Sequence, residues 1–115
     1  MKNILWLSQH QPLPRQLAKL RQLFGDAEVR QDVNSFSNAE EIVRRVREGG
    51  YDEVVVVAPL SVIAKLCELG LRPLWAEMEQ LQNRRDAEVS ARGRYYRFLK
   101  FRRITAVRLE FEELE

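Results

Sequence analysis

A chain of 115 residues, 45% hydrophobic and 31% charged, has the length and composition of one globular domain with a core of its own. Its single cysteine, Cys67, excludes an intramolecular disulfide and a cysteine-based metal site, and the longest apolar run, Val54 to Leu60, is far too short to span a bilayer. The net charge of +2 is unevenly spread: residues 1–83 carry −1, residues 84–108 carry +7 and residues 109–115 carry −4.

The opening Met1–Ser8 is shorter than a signal-peptide core and has no small-residue cleavage site, so a cytoplasmic protein is expected. Asn3–Ser8 reads as a short apolar strand. Pro12 and Pro14 suit the start of a helix, where a missing N–H costs nothing. Leu13, Leu17, Leu20 and Phe24 then form one helical stripe, and Gly25 is placed to cap it. Glu28–Asp32 predicts a weaker strand near an edge. Ser37-Asn-Ala-Glu40 has the S-x-x-E pattern of a capping box, and Ala39, Ile42, Val43 and Val46 follow on one helix face up to Gly49-Gly50. Asp52–Ala58 is the clearest strand, because its run of valines predicts burial on both faces. Leu60–Leu69 predicts a third helix that Ser61 could cap, and Leu74–Met78 a fourth strand.

This βαβαβαβ order predicts an α/β fold. Residues 1–81 should form a mostly parallel, doubly wound, Rossmann-like sheet, and residues 82–115 a basic, aromatic, antiparallel C-terminal hairpin or ribbon in the same domain. The expected arms of that ribbon are Tyr95–Arg103 and Thr105–Glu113. In the first, Tyr95, Leu99 and Phe101 share one parity, while Tyr96 and Phe98 share the other. In the second, Val107, Leu109 and Phe111 oppose Arg108, Glu110 and Glu112.

Open α/β sheets bind ligands beyond the carboxyl ends of their strands, where strand order reverses. That rule selects Ser8, Gln9 and His10 after the first strand and Asn34 and Ser35 after the second. It also selects Pro59 and Ser61 after the third, and Glu77 and Glu79 at the end of the fourth. His10 is a candidate base or phosphate contact, against the plainer reading of an exposed turn histidine. Ser8 and Ser61 could meet phosphate oxygens or cap helices, and Glu77 and Glu79 could line a site or lie on a solvated strand face.

No G-x-G-x-x-G or G-x-x-x-x-G-K-[ST] is present, and a lone histidine without a cysteine pair argues against zinc, so no cofactor and no metal are expected. The basic block offers a second candidate. Arg94, Arg97, Lys100, Arg102 and Arg103 interleave with Tyr95 and Tyr96, a pattern that could track phosphates and stack bases of RNA or DNA. The same residues could instead be a half-buried strand with solvated arginines, or a self-association surface.

Lys2-Asn-Ile-Leu-Trp-Leu-Ser-Gln-His10, Leu23-Phe-Gly25, Val54-Val-Val-Val-Ala-Pro-Leu-Ser61, Leu69-Gly-Leu-Arg-Pro-Leu-Trp75 and Phe98-Leu-Lys-Phe-Arg-Arg103 together resemble small CRISPR-associated Rossmann-like proteins. These are single-domain relatives of the CARF ligand-sensing domains, and some are ring nucleases. The resemblance lies in layout and hydrophobic pattern across most of the chain. Ser8-Gln9-His10 matches the [ST]-x-H that some members carry after their first strand. The resemblance implies a homodimer that binds a cyclic oligoadenylate and cleaves it without a metal, by in-line attack of a ribose 2′-OH on the adjacent phosphate. It places Ser8, Gln9 and His10 on the phosphates, adds Ser61 from the third helix, and takes a basic side chain from the ribbon. No single catalytic residue of the family matches securely, so the resemblance bears on binding more than on cleavage.

Overall fold

The computed structural model describes residues 1–115 as three helices and a six-stranded sheet. In chain order the elements are β1 (Lys2–Leu7), α1 (Pro14–Phe24), β2 (Ala27–Asp32), α2 (Ala39–Glu48), β3 (Glu53–Val56), α3 (Leu60–Glu68), β4 (Leu74–Leu81), β5 (Val89–Ala91) and β6 (Arg94–Arg103). The strand order is β2-β1-β3-β4-β6-β5. β1 pairs in parallel with β2 and β3, and β3 with β4, whereas β6 runs antiparallel to both β4 and β5. The fold is α/β, with a mostly parallel sheet finished by antiparallel C-terminal strands.

Side-chain alternation decides which face each strand residue serves. Leu5, Leu7, Val54 and Val56 pack against Ala39, Ile42, Val43 and Val46 of α2 and Ile63 and Leu66 of α3. Ile4, Trp6 and Val55 face the other way and pack with Leu20 of α1, Ala27 and Leu74. Because both faces are covered, β1 and β3 are apolar throughout their buried lengths. Each fully buried valine contributes about 1.5–3 kcal/mol, so β3 anchors the sheet although it is only four residues long.

The helix starts differ in detail from the sequence expectation. Pro14 does occupy the first turn of α1, and Gly25, at φ 73°, closes it. At α2 the cap lies one residue later than the expected Ser37. Asn38 is the cap, its Oδ1 accepting the Glu41 N–H at 2.9 Å, while the Glu41 carboxylate accepts the Ser37 N–H at 2.7 Å. At α3 the cap position falls to Pro59, and Ser61 lies within the first turn without capping.

The ribbon is corrected more substantially. Its antiparallel partner is Val89–Ala91, which precedes β6, and Thr105–Glu113 forms no strand. The chain leaves the sheet after Arg103: the Ile104 N–H donates to the Pro73 carbonyl at 2.9 Å, and Ile104 and Val107 settle on the α2–α3 side of the core. The expected parity within β6 also fails. Glu77 pairs with Lys100 and the next residue, Met78, with Phe98, so Leu99 is an extra residue in a bulge. The bulge turns Phe98 to the same face as Phe101, their ring centroids 4.9 Å apart, and Phe101 meets Trp6 edge-on at 6.3 Å.

Candidate functional site

The connections run from β1 outward to β2 and from β3 outward to β4, so the direction of the chain across the sheet reverses between β1 and β3. At their carboxyl ends the sheet is therefore open, in the place where α/β sheets hold ligands. Two of the clefts at these strand ends are bordered by Ser8 and His10. The larger, about 450 Å³, lies on the α1 side between Trp6, Gln16, Met78 and Tyr96, with Ser8 and His10 at its rim. No Asp, Glu, Lys or Arg lines it. The smaller, about 220 Å³, lies between the ends of β1 and β2 and is lined by Ser8, Gln9, His10, Asp32, Asn34 and Phe36, among others.

The Ser8–His10 loop is held by its backbone. The Trp6 indole N–H donates to the His10 carbonyl at 2.8 Å, the His10 N–H donates to Ser8 Oγ at 3.1 Å, and the Gln31 amide donates to the Ser8 carbonyl at 3.0 Å. The His10 imidazole is exposed and makes no hydrogen bond within the protein. Both ring nitrogens are thus free to hydrogen-bond to a bound group. Ser8 Oγ accepts from the loop and keeps its own hydrogen to donate.

Gln16 is the polar residue most enclosed by this site, only 4% exposed. Its Oε1 accepts the Leu13 N–H at 2.8 Å, which closes the start of α1. Its Nε2 reaches only the Met78 sulfur, at 3.8 Å, and a thioether is a weak acceptor. On the other side, Arg45 fixes the second loop by donating to the Asn34 carbonyl at 3.0 Å and pairing with Glu41 at 2.8 Å. The Glu41 carboxyl is held below its ordinary pKa, first by the Ser37 N–H and then by Arg45.

Ser8, Gln9, His10 and Asn34 are therefore brought together. Ser61, exposed on α3, lines neither cleft, and Glu77 points to the opposite face of β4, where its carboxylate accepts from Arg102 Nε at 2.8 Å. Glu79 on the same face accepts from Arg97 Nε at 2.8 Å, which holds that guanidinium above its ordinary pKa. Arg103 pairs through both terminal nitrogens with Glu53 at the amino end of β3 and lines neither cleft. Arg94 and Lys100 make no ion pair. Arg97, Lys100 and Arg102 lie on the face of β6 opposite Tyr96, Phe98 and Phe101, whereas Arg94 and Arg103 share the aromatics' face; of the two tyrosines only Tyr96 reaches the large cleft.

The residues that sequence reasoning passed over are Trp6, Gln16 and Met78. A signal existed for two of them. Trp6 is an aromatic with a polar edge near the carboxyl end of a parallel strand, and Gln16 sits between Leu13 and Leu20 on the buried stripe of α1. A comparison with family models, curated proteins and solved structures gives no match for this chain.

Proposed function

We propose that this protein binds a small nucleotide at the carboxyl ends of β1 and β3, its base in the large cleft and its phosphate against Ser8–His10. Following the resemblance, the ligand is a cyclic oligoadenylate, held by a cytoplasmic homodimer of Rossmann-like subunits. The observation that carries this reading is that Ser8 and His10 border both clefts at the point where the sheet reverses direction. The larger cleft is within the ~300–1,000 Å³ range of small-molecule sites. Its uncharged walls suit a planar base better than a phosphate, with Tyr96 and Trp6 beside it and the Gln16 amide as donor to a ring nitrogen.

Cleavage would use His10 as the base. The imidazole takes the proton of a ribose 2′-OH as that oxygen attacks the adjacent phosphorus in line. A 2′,3′-cyclic phosphate forms, the bond to the 5′-oxygen breaks, and that oxygen leaves with the proton returned by His10. The Ser8 hydroxyl donates to a non-bridging phosphate oxygen.

The test is a titration with cyclic oligoadenylates, short RNA and duplex DNA, each at low and high salt. Binding of a cyclic oligoadenylate with a shallow salt dependence, lost in Ser8→Ala and weakened in Gln16→Leu, supports the reading, since no lysine or arginine lines the cleft. Salt-steep binding to RNA or DNA that depends on Arg94 and Lys100 would instead favour a nucleic-acid-binding ribbon. Turnover that persists in His10→Ala would remove His10 as the base.

A further inference from the structure

β6 is ten residues long, but β5 pairs only with Arg94, Tyr95 and Tyr96. The Glu88 carboxylate accepts the Phe98 N–H at 2.8 Å and closes the edge that far. From Leu99 to Arg103 the outer edge of β6 has no partner strand, and Leu99 is exposed there. An unpaired edge of this length is a template for another strand.

The segment Leu109–Glu115 has the complementary character. It has no secondary structure, and Leu109, Phe111 and Leu114 are 75%, 84% and 86% exposed. Leu109 and Phe111 alternate with Glu110 and Glu112, the period of a strand that covers one face with apolar residues. Its four glutamates make no ion pair within the chain, while Lys100 on the open edge makes none either. In its own subunit the segment does not lie along that edge. Ile104 and Val107 carry it to the α2–α3 side, across β4 from the open side of β6.

We propose that Leu109–Glu113 of one copy adds as a strand to the Leu99–Arg103 edge of a second copy, and that the second copy returns the same contact. Charge selects this occupant: Arg102 and Arg103 on the open stretch already hold Glu77 and Glu53, Lys100 there has no ion pair, and the acidic end of a second chain brings it carboxylates. Reciprocal exchange gives a closed two-fold pair with no edge left over at either β6.

Light scattering on the eluting protein tests this. The full chain should show twice its 13.6 kDa mass and shift toward 13.6 kDa on dilution or at high salt. A chain ending at Arg108 should keep the same circular dichroism and melting temperature and remain at the single-chain mass. A synthetic peptide of residues 107–115 should bind that shortened chain, and Lys100→Glu should weaken the peptide by roughly tenfold. A full chain that stays single at millimolar concentration, or a shortened chain that pairs as well as the full one, overturns the proposal.

Discussion

Trp6 connects the core to the site more directly than any other residue. Its ring is buried among Ile4, Leu20 and Val55 and meets Phe101 edge-on, while its indole N–H holds the His10 carbonyl. Trp6→Phe keeps the apolar contact but removes ring volume and the donor, and should cost about 1–3 kcal/mol in a denaturant titration. It should also loosen the Ser8–His10 loop, so ligand affinity should fall even where the chain is fully folded. An unchanged affinity would separate the tryptophan from the site. Glu41 makes a second residue-scale prediction. Its carboxyl titrates below the ordinary glutamate value, so the folded state favours the ionised form. That contribution is complete above the unfolded pKa of about 4.3 and disappears as pH falls through the lowered folded value. Glu41→Gln should therefore destabilise the protein near neutrality, and the gap between the two melting temperatures should close in acid. A gap that stays constant down to about pH 3 would contradict the assigned partners.

At the scale of elements, the Leu99 bulge decides what β6 can do. Strict alternation would have divided the aromatics between two faces and made the ribbon apolar on both. One extra residue gathers Tyr96, Phe98 and Phe101 on the α1 side and leaves Arg97, Lys100 and Arg102 on the other, where Glu77 and Glu79 meet two of them. Removing Leu99 restores simple alternation while keeping Phe98 and Phe101 on one face. The deletion should thus leave the fold intact and change its stability by only about 1 kcal/mol. Deleting Ala76 from β4 gives the opposite result, because it reverses the facing of half a strand and should prevent folding. If the Leu99 deletion unfolds the chain as well, the bulge has a structural role that register does not explain.

The same element shows where the sequence was readable. β3 could be read because three consecutive buried valines fit no other position than the middle of a covered sheet. The bulge could not, since an inserted residue leaves no mark on an apolar–polar pattern that continues on both sides of it. The cap of α2 was displaced by one because Ser37-x-x-Glu40 and Asn38-x-x-Glu41 both satisfy the same rule, and only backbone geometry separates them. Thr105–Glu113 has the pattern of a strand but pairs with no strand of its own chain, since Ile104 and Val107 are drawn onto the α2–α3 side of the core.

Across the whole molecule, strand order and charge distribution organise the two proposed surfaces. The order β2-β1-β3-β4 puts the reversal beside Ser8 and His10, which is why the rule about strand ends found four residues that do converge. The rule could not find the floor of the larger cleft. Gln16, Met78 and Tyr96 reach it from α1, β4 and β6, and no local pattern reveals that these three elements meet. Ser61 and Glu77 followed from the same rule, yet α3 and the outer face of β4 direct them elsewhere. The basic ribbon and acidic end lie on separate elements and need not compete with a ligand between β1 and β3. The most direct test of the ligand site is an amide-resolved NMR titration of the full chain with a cyclic oligoadenylate. Shifts should concentrate at Trp6–Gln16, Val55–Val57, Met78 and Tyr96, with saturation at a defined stoichiometry. Shifts confined to Arg97–Arg103, or no shifts at any ligand concentration, would contradict the proposed site.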